Sequence, residues 1–134
     1  MIIKKDPKKI IDFAYNFKNL VNAKNWIPQY DVDTDSLAII PSRLSKDARI
    51  RYIDNELAFY IRANGDIEGI FIEYFKNNFI KHHKDAKFKK FNKVISKKEQ
   101  KNKDNKSLLE LSKTSLKQVL PELEKVVQGA VVQK

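Results

Sequence analysis

The chain has 134 residues and no cysteine. Disulfides, thiolate metal sites and thiol nucleophiles are excluded together. Glycine is nearly as scarce: Gly65, Gly69 and Gly129 are the complete set. A phosphate-cradling loop needs glycines gathered ahead of a helix, so nucleotide hydrolysis is disfavoured. Long apolar runs are also missing, because Lys, Arg, Asp or Glu interrupts every candidate before the roughly 20 residues needed to cross a bilayer. No membrane role is expected. Met1-Ile2-Ile3-Lys4-Lys5 leads into a charged segment instead of an apolar signal core, which favours a cytoplasmic protein.

Charge is abundant and unevenly placed. The formal net charge is +10, and Lys supplies 23 of the 27 cations. Residues 76–106 hold twelve lysines against three acidic residues, whereas residues 25–75 hold nine carboxylates against five cations. A dense Lys segment raises the question of nucleic acid, since cations gain affinity by releasing counterions from phosphates. The accompanying abundance of Ile, Asn and Phe, however, is also what the codon bias of an AT-rich genome produces. Arg, the better bidentate reader of base edges, is sparse, so sequence-specific readout is disfavoured.

The length fits one domain. Asp6-Pro7 reads as an N-cap followed by proline at the first helical position. Ile10, Phe13, Ala14, Phe17, Leu20 and Val21 then recur at helical spacing, which predicts one amphipathic helix over 7–23. Tyr30 and Leu37 to Ile40 flank the acidic turn Asp31-Val32-Asp33-Thr34-Asp35 as strand, turn and strand. Arg49 to Asp54 alternates as a third strand. Leu57 to Arg62 and Ile67 to Phe75 are rich in β-branched and aromatic residues, and Asn64-Gly65 between them predicts a type I′ hairpin. That register places Leu57, Phe59, Ile61, Ile70, Ile72 and Tyr74 on one face, and Ala58, Tyr60, Ile67, Phe71 and Phe75 on the other. Gly69 would leave room for the Tyr60 ring. Ser107-Leu108-Leu109-Glu110 matches a capping box, and Leu109, Leu116, Leu123 and Ala130 follow at seven-residue intervals. The expected architecture is α+β: an antiparallel β-meander of about four strands with an N-terminal helix and a C-terminal amphipathic helix. Residues 1–83 form the α+β unit, 84–106 a Lys-rich linker or extension, and 107–134 the final helix packed on the same domain.

Two stretches together resemble a small prokaryotic domain family of unknown function. They are Tyr30-Asp31-Val32-Asp33-Thr34-Asp35-Ser36-Leu37-Ala38-Ile39 and Asn64-Gly65-Asp66-Ile67-Glu68-Gly69-Ile70-Phe71-Ile72-Glu73. Some relatives in that family resemble antitoxin partners of small toxins, which implies a regulatory role with a protein partner. The N-terminal helix, the Lys-rich segment and the long C-terminal helix depart from the compact family pattern.

Candidate chemistry is thin. Asp31, Asp33 and Asp35 have the alternate spacing of a calcium loop, but Ser36 and Ser42 stand where its glycine and closing glutamate belong, so an Asp-rich turn is the expected reading. His82 and His83 are adjacent, which on a helix sends them in different directions, and no third ligand lies at metal-site spacing. Asp54, Glu56 and Glu73 are the acidic residues near the strands that acid–base chemistry would draw on. No catalytic, cofactor or metal residue is assigned, and no enzyme is expected; a hydrolase or nuclease using His82 and His83 ranks last.

The leading expectation is a non-catalytic protein-interaction or regulatory module. Its contact surface is Tyr60, Phe71 and Phe75 with Leu116, Leu123 and Val127, and its partner is another protein or a second copy. The alternative is nucleic-acid binding through Lys84, Lys87, Lys89, Lys90, Lys93, Lys97 and Lys98, with Phe88 and Phe91 available for base stacking.

Overall fold

The computed structural model describes residues 6–102 and 104–132. The readings of Met1 to Lys5, and of Lys103, Gln133 and Lys134 within their segments, lie outside them. Asp6 caps helix α1 (Pro7–Tyr15) by accepting from the amides of Lys8 and Lys9. The expected single helix breaks at Asn16, whose amide side chain donates to the Asp12 carbonyl at 2.8 Å. This local bond competes with helix propagation. Helix α2 (Phe17–Ala23) then starts afresh, with Glu124 accepting from its Lys18 amide.

Six antiparallel strands follow: β1 (Ile27–Asp31), β2 (Ser36–Ile40), β3 (Arg49–Tyr52), β4 (Leu57–Ile61), β5 (Ile67–Ile72) and β6 (Leu108–Glu110). Their order across the sheet is β3-β4-β5-β2-β1-β6. The fold is α+β with an antiparallel meander, as expected; β1–β5 are the strands read from the sequence and β6 is the addition. A five-residue π-helical turn (Phe75–Phe79), short helix α3 (Ile80–His82), helix α4 (Ala86–Gln100) and helix α5 (Lys113–Val132) complete the described chain.

The hairpin departs from its expected register near the turn. Leu57↔Ile72 and Phe59↔Ile70 pair as anticipated, but the register then slips by one residue so that Ile61 faces Ile67. The Arg62 amide donates to the Asp66 carbonyl at 2.8 Å, and the Gly65 amide returns to the Arg62 carbonyl at 2.9 Å. The loop therefore has three residues, Ala63-Asn64-Gly65. Of these, Gly65 alone takes positive φ, at 93°. The type I′ expectation is replaced by a three-residue loop with a bulge, the next commonest hairpin solution. The slip turns Ile67 toward the core, against which it is partly buried. Gly69 is explained differently too: at φ 150°, a Cβ there would sit 2.5 Å from the Ile39 carbonyl oxygen. The missing side chain is what lets β2 close on β5.

Leu57, Phe59, Ile61, Ile70 and Ile72 are buried as expected, joined by Leu37, Ile39, Tyr30 and Leu109 from the neighbouring strands. Tyr74 leaves the set: it has φ 50° and is exposed, because the chain turns off the sheet there. Helices cover this inner face, with Phe13 of α1 edge-on to Phe59 at 4.8 Å. On the opposite face Ala38, Ile40, Ile50, Tyr60 and Phe71 are each partly exposed, in contrast to the fully buried inner row.

Three further expectations give way. Residues 84–106 are not a linker throughout: α4 occupies 86–100 and buries Phe88, Phe91 and Ile95. Each such side chain is worth about 2 kcal/mol of transfer free energy, which outweighs the solvated Lys on the far side. Ser107 does not open a helix. Leu108–Glu110 adds a strand to β1 instead, satisfying amides on its free edge and burying Leu109 beside Tyr30; Ser112 accepts from the Ser115 amide at the start of α5. Phe75, Leu116, Leu123 and Val127, expected at a partner surface, are core residues, 0–2 % exposed. Phe75 reaches the core because the π turn carries it beneath α4, where it meets Phe91.

Gly69→Ala is expected to cost about 3 kcal/mol in urea denaturation, the sum of a backbone clash and an unfavourable φ. A loss near zero would show that β2 and β5 can separate at that point.

Candidate functional site

The acidic turn is a structural device. Asp31 Oδ1 accepts from the amides of Asp33 and Thr34, closing the turn. Asp35 points inward, is 8 % exposed and holds φ 52°. Its Oδ1 accepts from the Tyr30 hydroxyl at 2.6 Å and the Lys76 amide at 2.9 Å, and its Oδ2 from the Asn77 amide at 3.0 Å. Its carbonyl accepts from the Phe75 amide. Burial, then the bond to Asp35 and its charge, push the Tyr30 phenol well above its ordinary range. The Asp31 and Asp35 carboxylates are thus taken up by separate sets of donors, and together they hold an Asp-rich turn.

The histidines behave otherwise than their adjacency suggested. The π turn contains one extra residue relative to an α-helical turn, with the Phe79 amide bonding to the Tyr74 carbonyl at 3.0 Å. Helix α3 stops at His82, and His83 takes φ −110°, ψ 84°. Leaving the helix swings the second ring back beside the first, with centroids 4.6 Å apart. Both rings meet Glu56, which stands in the β3–β4 turn: His82 Nε2 lies 2.6 Å from Oε2 and His83 Nε2 lies 2.7 Å from Oε1.

Glu56 is itself positioned from below. Asp54 Oδ1 accepts from the amides of Glu56 and Leu57, making the turn that aims it. Asn78 Nδ2 donates to Oε2 at 3.3 Å. Only 11 % of the Glu56 side chain is exposed. Phe79 stacks on His83 at 4.0 Å and 22°, and Phe88 meets the same ring edge-on, so that imidazole is fixed in plane. The group borders a cleft of about 390 Å³ whose far wall is Lys125, Val126 and Gly129 of α5. Glu73 is not part of it; it engages the Tyr52 hydroxyl.

The outward sheet face carries two of the expected contact residues. Tyr60 and Phe71 stand edge-on at 6.3 Å, both partly exposed. Register adds Ala38 and Tyr52 in the Phe71 row, and Ile50 with Ile40 near Tyr60. Tyr52 is 45 % exposed. Among the described residues no strand contains lysine.

The lysines sit on the helical side. Lys87, Lys89, Lys90, Lys93, Lys97 and Lys98 are exposed along α4, and Lys84 precedes it. The aromatics read as stacking platforms are unavailable, since Phe88 and Phe91 are each 3 % exposed. Lys76 is apart from this group: its ammonium bonds Ser96 and Glu99 and lies 5.6 Å from the Tyr30 ring centroid.

Asp35→Ala is expected to destabilise by about 3 kcal/mol or more, because it strands buried donors and leaves alanine at positive φ. Chemical denaturation measures this, with Tyr30→Phe, which removes one bond, costing about 1 kcal/mol.

No helix of the described residues is long and apolar enough to cross a membrane. No protein-family model, curated protein or solved structure matches the chain.

Proposed function

We propose that this protein is a non-catalytic interaction module that pairs with a second copy of itself through the outward face of its sheet. The observation that carries the reading is that this face is apolar at its centre, free of lysine among the described residues and partly exposed at Ile40, Ile50, Tyr60 and Phe71. Antiparallel sheets ordinarily turn a polar face to water, whereas Ile40, Ile50, Tyr60 and Phe71 do not fit that role. Two such faces can stack about 10 Å apart with side chains interdigitated.

Charge selects the occupant. A chain of net charge +10 repels its own copy across any Lys-bearing surface. The strand surface is where two copies meet without opposing lysines, and Tyr and Phe are the residues that contribute most to such contacts. The resemblance of the strand–turn–strand and hairpin to a family with antitoxin-like members supports the same class of role.

Sedimentation velocity of the parent protein is expected to show a dimer at about 100 μM, and Phe71→Lys a monomer with unchanged circular dichroism. A parent protein that stays monomeric at that concentration overturns the reading.

A second reading is favoured by the outward row Lys90, Lys93 and Lys97 on α4, flanked by Lys87, Lys89 and Lys98. With Phe88 and Phe91 buried, this row offers phosphate contacts alone, so binding would be independent of base identity. Affinity for single strands should then fall with salt at a log–log slope of about −0.7 per phosphate contacted, and collapse when Lys87, Lys89, Lys90 and Lys93 become Gln. Absence of RNA and DNA binding at low salt removes this reading.

A further inference from the structure

The chain has two histidines, and the fold brings both to one carboxylate across a sequence separation of 26 and 27 residues. We propose that Glu56, His82 and His83 form a binding site for one divalent transition-metal ion of the zinc type.

The donor set fits that ion. Two imidazole nitrogens and a carboxylate oxygen are borderline ligands of the kind zinc takes, and the three candidate atoms lie within 4.8 Å of one another. Metal–ligand bonds of about 2.0–2.1 Å put tetrahedral donors roughly 3.3 Å apart. The present contacts of 2.6 and 2.7 Å are hydrogen bonds, each needing a proton on Nε2. Insertion of the ion opens each by less than about 1 Å and leaves both Nε2 lone pairs on the metal. A neutral imidazole meets this by carrying its proton on Nδ1, so the exchange of tautomers balances without net loss of a proton. His82 is half exposed and free to make the adjustment, while Phe79 holds His83 in place.

Electrostatics favour an ion there. Glu56 is 9 % exposed, yet among the described residues its ion-pair partners are the two histidines, not Lys or Arg. A largely buried carboxylate whose partners are imidazoles in place of a permanently charged side chain is a suitable anchor for a bound cation. Lys125, on the facing wall of the cleft, is engaged with Glu122 at 3.5 Å.

The supporting shell is also in place. Asn78 holds Oε2, and the Asp54 turn fixes the backbone of Glu56. Such outer contacts orient ligands in metal sites. Three protein ligands leave one position of a tetrahedral ion open, and the adjoining cleft gives water access to it. The bound ion would tie the β3–β4 turn to α3, which are otherwise joined at this point by side-chain hydrogen bonds.

Titration of tag-free full-length protein with zinc chloride in a calorimeter tests the site. One ion per chain is expected, with Tm raised by roughly 10 °C once free zinc exceeds Kd a hundredfold. Glu56→Gln and His83→Ala should each weaken binding at least tenfold while circular dichroism is unchanged. Side-chain nitrogen NMR, unambiguous with two histidines, should move both rings to the Nε2-coordinated pattern. Absence of stoichiometric binding at millimolar zinc overturns the proposal. So does Glu56→Gln binding as tightly as the parent, since that identifies an exposed histidine pair acting alone.

Discussion

The Asp35 carboxylate is the joint on which the sheet and the helical layer both depend. It is buried, sits at positive φ and receives the Tyr30 hydroxyl together with the backbone amides of Lys76 and Asn77. Those amides open the π turn, so one side chain of the β1–β2 turn supplies acceptors at its start. The next step is carried by Lys76, whose stem returns past Tyr30 and whose ammonium reaches Ser96 and Glu99 of α4. A buried carboxylate costs several kcal/mol in desolvation unless its oxygens are filled. Here they are filled by donors from separate elements, and the need to satisfy them sets where the chain leaves β5.

What the π turn does downstream follows from that. It directs Phe75 and Phe79 into the core, where they stack at 5.4 Å, and Phe88 and Phe91 of α4 close over them. The same turn delivers His82 and His83 to Glu56. Core packing and the histidine cluster are therefore consequences of one irregularity, which accords with the tendency of π bulges to mark functional positions.

Charge and apolar surface are separated by the same architecture. Among the described residues, lysines lie on helices and loops, and the strands carry Arg49, Arg51 and a few carboxylates in place of lysine. The two arginines lie on edge strand β3, where charge discourages unwanted strand pairing. The outward face of the central strands is left apolar. A dimer through the sheet and a basic surface on α4 would use different residues, so neither excludes the other.

Local rules made much of this legible. The Asp6-Pro7 cap, the Phe13 to Val21 stripe, the strand around Tyr30 and the inner hairpin residues Leu57, Phe59, Ile70 and Ile72 follow from capping chemistry and side-chain periodicity, which act within a few residues. Nonlocal competition decided the rest. Leu108–Glu110 satisfies a capping pattern, but the open edge of β1 offers better use of its backbone. The Lys-rich segment looks solvated until Phe88, Phe91 and Ile95 find the surface made by Phe75 and Phe79. Glycine at 69 was visible, but the Ile39 carbonyl that requires it belongs to another strand. Gln29 to Glu110 and Glu56 to His83 illustrate the limit: periodicity reports which face a residue occupies, whereas convergence of distant side chains depends on how turns and irregular helices aim them. Sequence alone thus determined the N-terminal helical stripe, the strands up to Ile72 and the inner face of the hairpin; tertiary structure decided α4, the sixth strand, the cover over Phe75 and the meeting of both histidines on one carboxylate, because those rest on satisfying buried donors and apolar surface between segments far apart in the chain.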